Sequence, residues 1–175
     1  MKYSLLCIVT IVMCSSPDRH SFIEKYEEDN NKLIAFFEKS ICSESESLDE
    51  CYETFFEKEL QDMIEKGGYN FTFDKSGVDS LFSEISPEFW NEIWIKNGNN
   101  ITFNKKGKYF KLLKKLSKNN PYVHKYINSC SMFKYFIITP IMQEIVGVNY
   151  DSFDMNNKAY RLFVAIHFIS IKSGM

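Results

Sequence analysis

The sequence predicts a mainly α-helical fold, a single domain of six or seven helices with a minor two-stranded β ribbon. Three observations lead there. Apolar residues make up 45% of the 175 positions and aromatic ones 16%, enough to bury a sizeable core. Seven glycines and four prolines are too few for a turn-dense β architecture or a disordered chain. Apolar positions also recur at helical spacing over most of the length, between residues that start and stop helices.

The elements follow in chain order. Phe22, Ile23, Tyr26, Leu33, Phe36 and Phe37 stand among acids and lysines and predict a helix over 22–41. Ser47-Leu48-Asp49-Glu50 matches a capping box, in which Ser47 accepts from the N3 amide while Glu50 reaches back. The helix it opens carries Cys51, Tyr52, Phe55, Phe56, Leu60, Met63 and Ile64 on one face and stops at Gly67-Gly68. Asn70-Phe71-Thr72-Phe73-Asp74-Lys75-Ser76-Gly77 then recurs, thirty residues on, as Asn100-Ile101-Thr102-Phe103-Asn104-Lys105-Lys106-Gly107. Alternation of Phe71 with Phe73, and of Ile101 with Phe103, predicts two short strands that end in Gly-containing turns and pair as the ribbon.

Between the echoes, Ser86-Pro87-Glu88 is a helix start, with a capping serine, proline at the first position and an acid near the positive end of the dipole. Phe89, Trp90, Ile93 and Trp94 continue it on one face, and Asn97-Gly98 ends it. After the second echo, Tyr109, Leu112, Leu113 and Leu116 form a narrow apolar stripe on a helix otherwise covered by Lys108, Lys111, Lys114, Lys115 and Lys118. Asn119-Asn120-Pro121 breaks it. Two helices over 122–130 and 132–146 follow, with Pro140 starting or kinking the second. A last helix, capped by Asp154 or Asn156 and running to Ile171, is apolar nearly all round and belongs in the middle of the domain.

The first sixteen residues are of another kind. Lys2 precedes an apolar run from Tyr3 to Met13 that ends at Cys14-Ser15-Ser16. The run is shorter than the roughly 20 residues a membrane-spanning helix needs and suits the apolar core of an export signal. Ile11-Val12-Met13-Cys14 resembles the lipobox of bacterial lipoproteins, with Met13 where a small residue is usual. The resemblance implies a signal peptide over 1–13, acylation of Cys14, a tether over 14–21 and a helical domain over 22–175. It places the chain in the bacterial cell envelope, facing the periplasm or on the outer membrane, with membrane contact through the lipid. Ordinary secretion, with cleavage near Ser15 or Ser16, is the alternative.

Of the five cysteines, Cys7 lies in the signal and Cys14 at the proposed anchor. Cys42 and Cys51 flank the acidic stretch Ser43-Glu44-Ser45-Glu46-Ser47, and an exported chain is expected to join them as a disulfide, leaving Cys130 free. No CxxC and no histidine pair at ligand spacing occurs, so no metal site is expected. No cofactor motif is present either.

The net charge of −2 conceals a segregation. Residues 21–66 hold fourteen acids and five lysines, a net of −9, whereas residues 104–125 hold eight lysines and no acid. Either the two regions face one another or lie in solvent, or one of them binds an oppositely charged partner. The near-neutral total speaks against a general nucleic-acid binder.

No GxSxG, HExxH, Walker loop or GxGxxG occurs. His124 and Cys130 stand six residues apart in a context unlike any cysteine hydrolase. Asn70 and Asn100 open Asn-x-Thr triplets, glycan acceptors only in a eukaryotic secreted chain. The expected function is a non-enzymatic protein-binding module, by analogy of size and location an immunity-type inhibitor of a toxin or effector. Trp90, Trp94, Lys108, Lys111, Lys115 and Lys118 are the candidate partner-binding residues, although for both tryptophans the core is the favoured place, since Phe89 and Ile93 extend the same stripe. An envelope hydrolase using acidic residues, or a ligand-binding surface lipoprotein, is the alternative function.

Overall fold

The structure, a computed structural model, describes residues 21–42, 47–66, 71, 73–98, 100–132 and 150–172. The expected signal 1–13, Cys14, the tether as far as residue 20, the Gly67-Gly68 stop and the 132–146 helix past Met132 lie outside the described residues.

Eight α-helices and one antiparallel ribbon stand among the described residues, so the mainly α fold is as expected. The helices are α1 (Phe22–Lys25), α2 (Glu27–Ile41), α3 (Leu48–Lys66), α4 (Lys75–Glu84), α5 (Pro87–Ile93), α6 (Lys108–Leu116), α7 (Pro121–Met132) and α8 (Lys158–Lys172). The ribbon is β1 (Trp94–Asn97) with β2 (Asn100–Phe103), and a 3-10 turn spans Tyr150–Ser152.

The expected first helix is two. Ser21 and Glu24 form a capping box that opens α1, and the helix then breaks at Tyr26. The Tyr26 ring lies between Phe22 and Phe89 (5.2 and 5.6 Å between centroids), and its hydroxyl donates to Glu88 Oε1 at 2.8 Å. Buried Asn30 donates its amide to the Ile23 carbonyl at 3.1 Å, covering an acceptor freed by the break.

Starts written in local sequence form as read. Ser47 Oγ accepts from Glu50 N at 3.4 Å while Glu50 Oε2 accepts from Ser47 N at 3.1 Å. That backbone donor holds the Glu50 carboxyl below its ordinary proton affinity. Ser86 Oγ accepts from Phe89 N at 3.2 Å and donates to Asp29 Oδ2 at 2.6 Å, so one side chain caps α5 and ties it to α2.

The ribbon differs from the expectation. Ile101 and Phe103 lie in β2, but the partner is 94–97, not 71–73, with Trp94 opposite Phe103. Helix α5 stops at Ile93 because Asn104 takes its last carbonyls, donating N–H to Ile93 O (2.8 Å) and Nδ2 to Asn91 O (2.6 Å). Gly98, at φ +61°, opens the turn instead of ending a helix.

The echo has a structural meaning other than paired strands. Each copy leads into a helix, α4 or α6, and then into a proline-started one, α5 or α7. Asp74 Oδ2 accepts from Gly77 N at 3.1 Å, making the expected turn a helix cap. Asn120 Oδ1 accepts from Tyr122 and Val123 N before Pro121 opens α7, the role Ser86 plays for α5.

Helix α8 occupies the centre. Every residue from Leu162 to Ser170 is buried, and the helix packs along α2. Its cap is Asn157, whose Oδ1 accepts from Ala159 N at 3.0 Å; Asp154 shapes the preceding turn instead. Phe168 meets Phe37 of α2 and Phe55 of α3 at 5.8 and 4.9 Å, an aromatic seam in which each ring contributes about 1.5–3 kcal/mol by burial.

Candidate functional site

The first turns of α3, the 3-10 turn and the strap leading into α8 enclose a concavity of about 250 Å³, lined by Asp49, Tyr52, Glu53, Tyr150, Asp151, Phe153 and Met155. The α3 helix supplies Asp49 and Glu53 one turn apart, hence on one face. Tyr150 donates its hydroxyl to Glu53 Oε1 at 2.5 Å, closing the rim and holding the phenol well above its ordinary pKa.

The floor is fixed from behind. Buried Tyr52 donates to Glu38 Oε1 at 3.2 Å, and Arg161 Nη1 of α8 donates to the same oxygen at 3.0 Å. Phe153 stacks on Phe163 at 6.1 Å and meets Tyr160 edge-on at 5.4 Å. Asn120 Nδ2 donates to Ser152 O at 2.9 Å and pins the 3-10 turn to α7. The disulfide Cys42–Cys51, with Cα atoms 5.1 Å apart, joins α2 to the same end of α3 as expected.

Three exposed carboxylates, beside three aromatic residues in the lining, make a place for a cation through charge. The volume is below the 300–1,000 Å³ usual for metabolite pockets, yet accommodates the head of one Lys or Arg side chain. Among the described residues, no group of three or more His, Cys, Asp or Glu is placed to hold a metal ion. Sequence reasoning did not find this site, because Tyr150 and Glu53 are 97 positions apart.

The expected partner-binding residues differ in exposure and in what they touch. Trp94 is fully buried, its Nε1 donating to Ser170 Oγ at 2.9 Å, so it belongs to the core and offers no surface anchor. Trp90 is half-buried, its ring 5.7 Å from that of Trp94. Lys108 is engaged at the start of α6, where its N–H donates to Glu92 Oε2 at 2.5 Å. Lys111 and Lys115 are exposed on α6 and Lys118 in the turn after it; Tyr109, Phe110 and Leu113 of the helix are buried against its own domain.

His124 and Cys130 do not form a catalytic pair. His124 is exposed, whereas burial pushes the Cys130 thiol up to about 11, partly offset by the Tyr126 hydroxyl. A nucleophilic cysteine needs the opposite shift. Tyr126 OH lies 2.9 Å from His167 Nδ1 in a buried cluster, and burial pushes that imidazole down to about 3.

No helix among the described residues is long and apolar enough to cross a membrane. No protein-family model, curated protein or solved structure matches the chain.

Proposed function

We propose that this chain is an exported envelope lipoprotein, anchored through Cys14, that acts as a non-enzymatic protein-binding module of the immunity type. Such a module neutralises a toxin or effector by occupying a functional surface. The observation that carries the binding part is the acidic concavity of Asp49, Glu53 and Asp151 beside Tyr52, Tyr150 and Phe153. Its occupant is a basic side chain projecting from the partner, steered by the acidic surface around it. The disulfide supports export, since such bonds persist in oxidising compartments. Deleting the gene and challenging the strain with the effector producer tests the reading. Survival falls, and is restored by the wild-type gene but not by one carrying Glu53→Lys. Unchanged survival of the deletion strain contradicts it.

A second reading rests on the same three carboxylates, because hydrolases of glycosidic bonds use an acidic pair across a cleft. The exposure of all three favours binding, since burial is what keeps a general-acid carboxyl protonated near neutral pH. Loss of a hydrolytic activity on Glu53→Gln, with folding intact, would establish the enzyme instead.

A further inference from the structure

Helix α6 and the turn after it carry a basic face. Lys111 and Lys115 stand at i and i+4 on α6, on one side of the helix, with exposed Lys114 beside them and exposed Lys118 in the turn that follows the helix. Among the described residues no carboxylate lies within 4.0 Å of these four side chains. Two acids stand near the start of the helix. Glu92 accepts from Lys108 N, and Glu88 is paired with Lys25 at 2.7 Å. The acidic helices α2 and α3 pack on one another, while α6 packs on α1, α5 and α7.

The chain enters the domain beside this face. Helix α1 begins after Ser21, and the Phe22 ring lies 5.9 Å from that of Tyr109 in α6. If Cys14 is acylated, residues 15–21 separate the lipid from α1, a span of at most about 25 Å when fully extended. The anchor therefore holds the lysine helix close to the headgroups.

From this geometry we infer that the Lys111–Lys114–Lys115–Lys118 face docks on an anionic phospholipid surface, orienting the domain on its membrane. This rests on the export reading above. The contact is electrostatic adsorption without insertion, because Tyr109, Phe110 and Leu113 are committed to the core. The basic patch adds an electrostatic attachment to that of the lipid.

The test uses the full chain carrying Cys14→Ala, so that no lipid assists, with vesicles of phosphatidylcholine alone or mixed with phosphatidylglycerol. Residues 1–13, with cationic Lys2, are present in every sample, so the comparison of parent with the triple variant isolates the lysine face. Expected is preferential binding to the anionic vesicles that disappears at about 0.5 M salt. A Lys111→Gln/Lys115→Gln/Lys118→Gln variant with unchanged circular dichroism and melting binds them roughly 100-fold more weakly. Equal binding to both lipids, or a triple variant that binds like its parent, overturns the inference. A face made for an acidic protein gives that negative result and then retains the protein on immobilised parent but not on the triple variant. Failure of the anchor is read separately, as absence of labelled palmitate from the wild-type chain in cells.

Discussion

Trp94 Nε1 donates to Ser170 Oγ at 2.9 Å, and Ser170 Oγ in turn donates to Ile166 O at 2.6 Å. The bond joins the first residue of the ribbon to the central helix across 76 positions, and both partners are fully buried. It explains why this tryptophan leaves α5 for the core. Trp94→Phe removes the donor and some ring volume while Ser170 keeps Ile166 O, so we expect a loss of about 1–3 kcal/mol in urea denaturation.

His167 makes stability depend on acid. Its folded pKa lies near 3, below the ordinary value of 6.5, because burial penalises the imidazolium. The unfolded chain therefore binds the extra proton first. The stabilisation is fully present above about pH 6.5 and is lost progressively as pH falls toward 3, by up to about 1.4 kcal/mol per unit. His167→Asn keeps an acceptor for Tyr126 and removes the titration. Melting between pH 7 and 4 should then show a shallower slope than wild type.

The two glycines of the echo separate sharply. A Cβ on Gly107 would stand 2.0 Å from Glu92 O, a backbone atom, whereas one on Gly77 would stand 3.2 Å from the rim of the Phe36 ring. Gly107→Ala is expected to cost roughly 3 kcal/mol or prevent folding, and Gly77→Ala about 1 kcal/mol or less, read by thermal melting.

The Cys42–Cys51 bond closes a separation of nine residues. Opening it by Cys42→Ala/Cys51→Ala is expected to lower stability by about 2–3 kcal/mol, measured by denaturant unfolding without reductant.

The sequence was legible wherever one stretch of chain decides the outcome. The Ser47–Glu50 box, the Ser86-Pro87 start and the cysteine pair each depend on neighbours within a few residues. Helix α8 was legible because its apolar residues leave no face for solvent. Trp94 was not, since Asn104 and Ser170, far along the chain, decide between helix and strand. Asp74 misled for a different reason: an aspartate accepting from an amide a few residues on serves a turn and a helix cap alike. The acidic concavity depends on Tyr150 and Asp151 meeting Asp49 and Glu53, and no local pattern announces such a meeting.

The most direct test of the proposed binding role is retention on immobilised full chain at low salt, comparing wild type with Asp49→Lys/Glu53→Lys, using envelope extract and effector-containing culture fluid. The account predicts that wild type retains a protein with a basic binding element, released by about 0.5 M salt, and that the charge-reversed variant, equally folded, does not retain it. Retention of the same protein by both, or of none by wild type, would contradict the acidic concavity as a partner site.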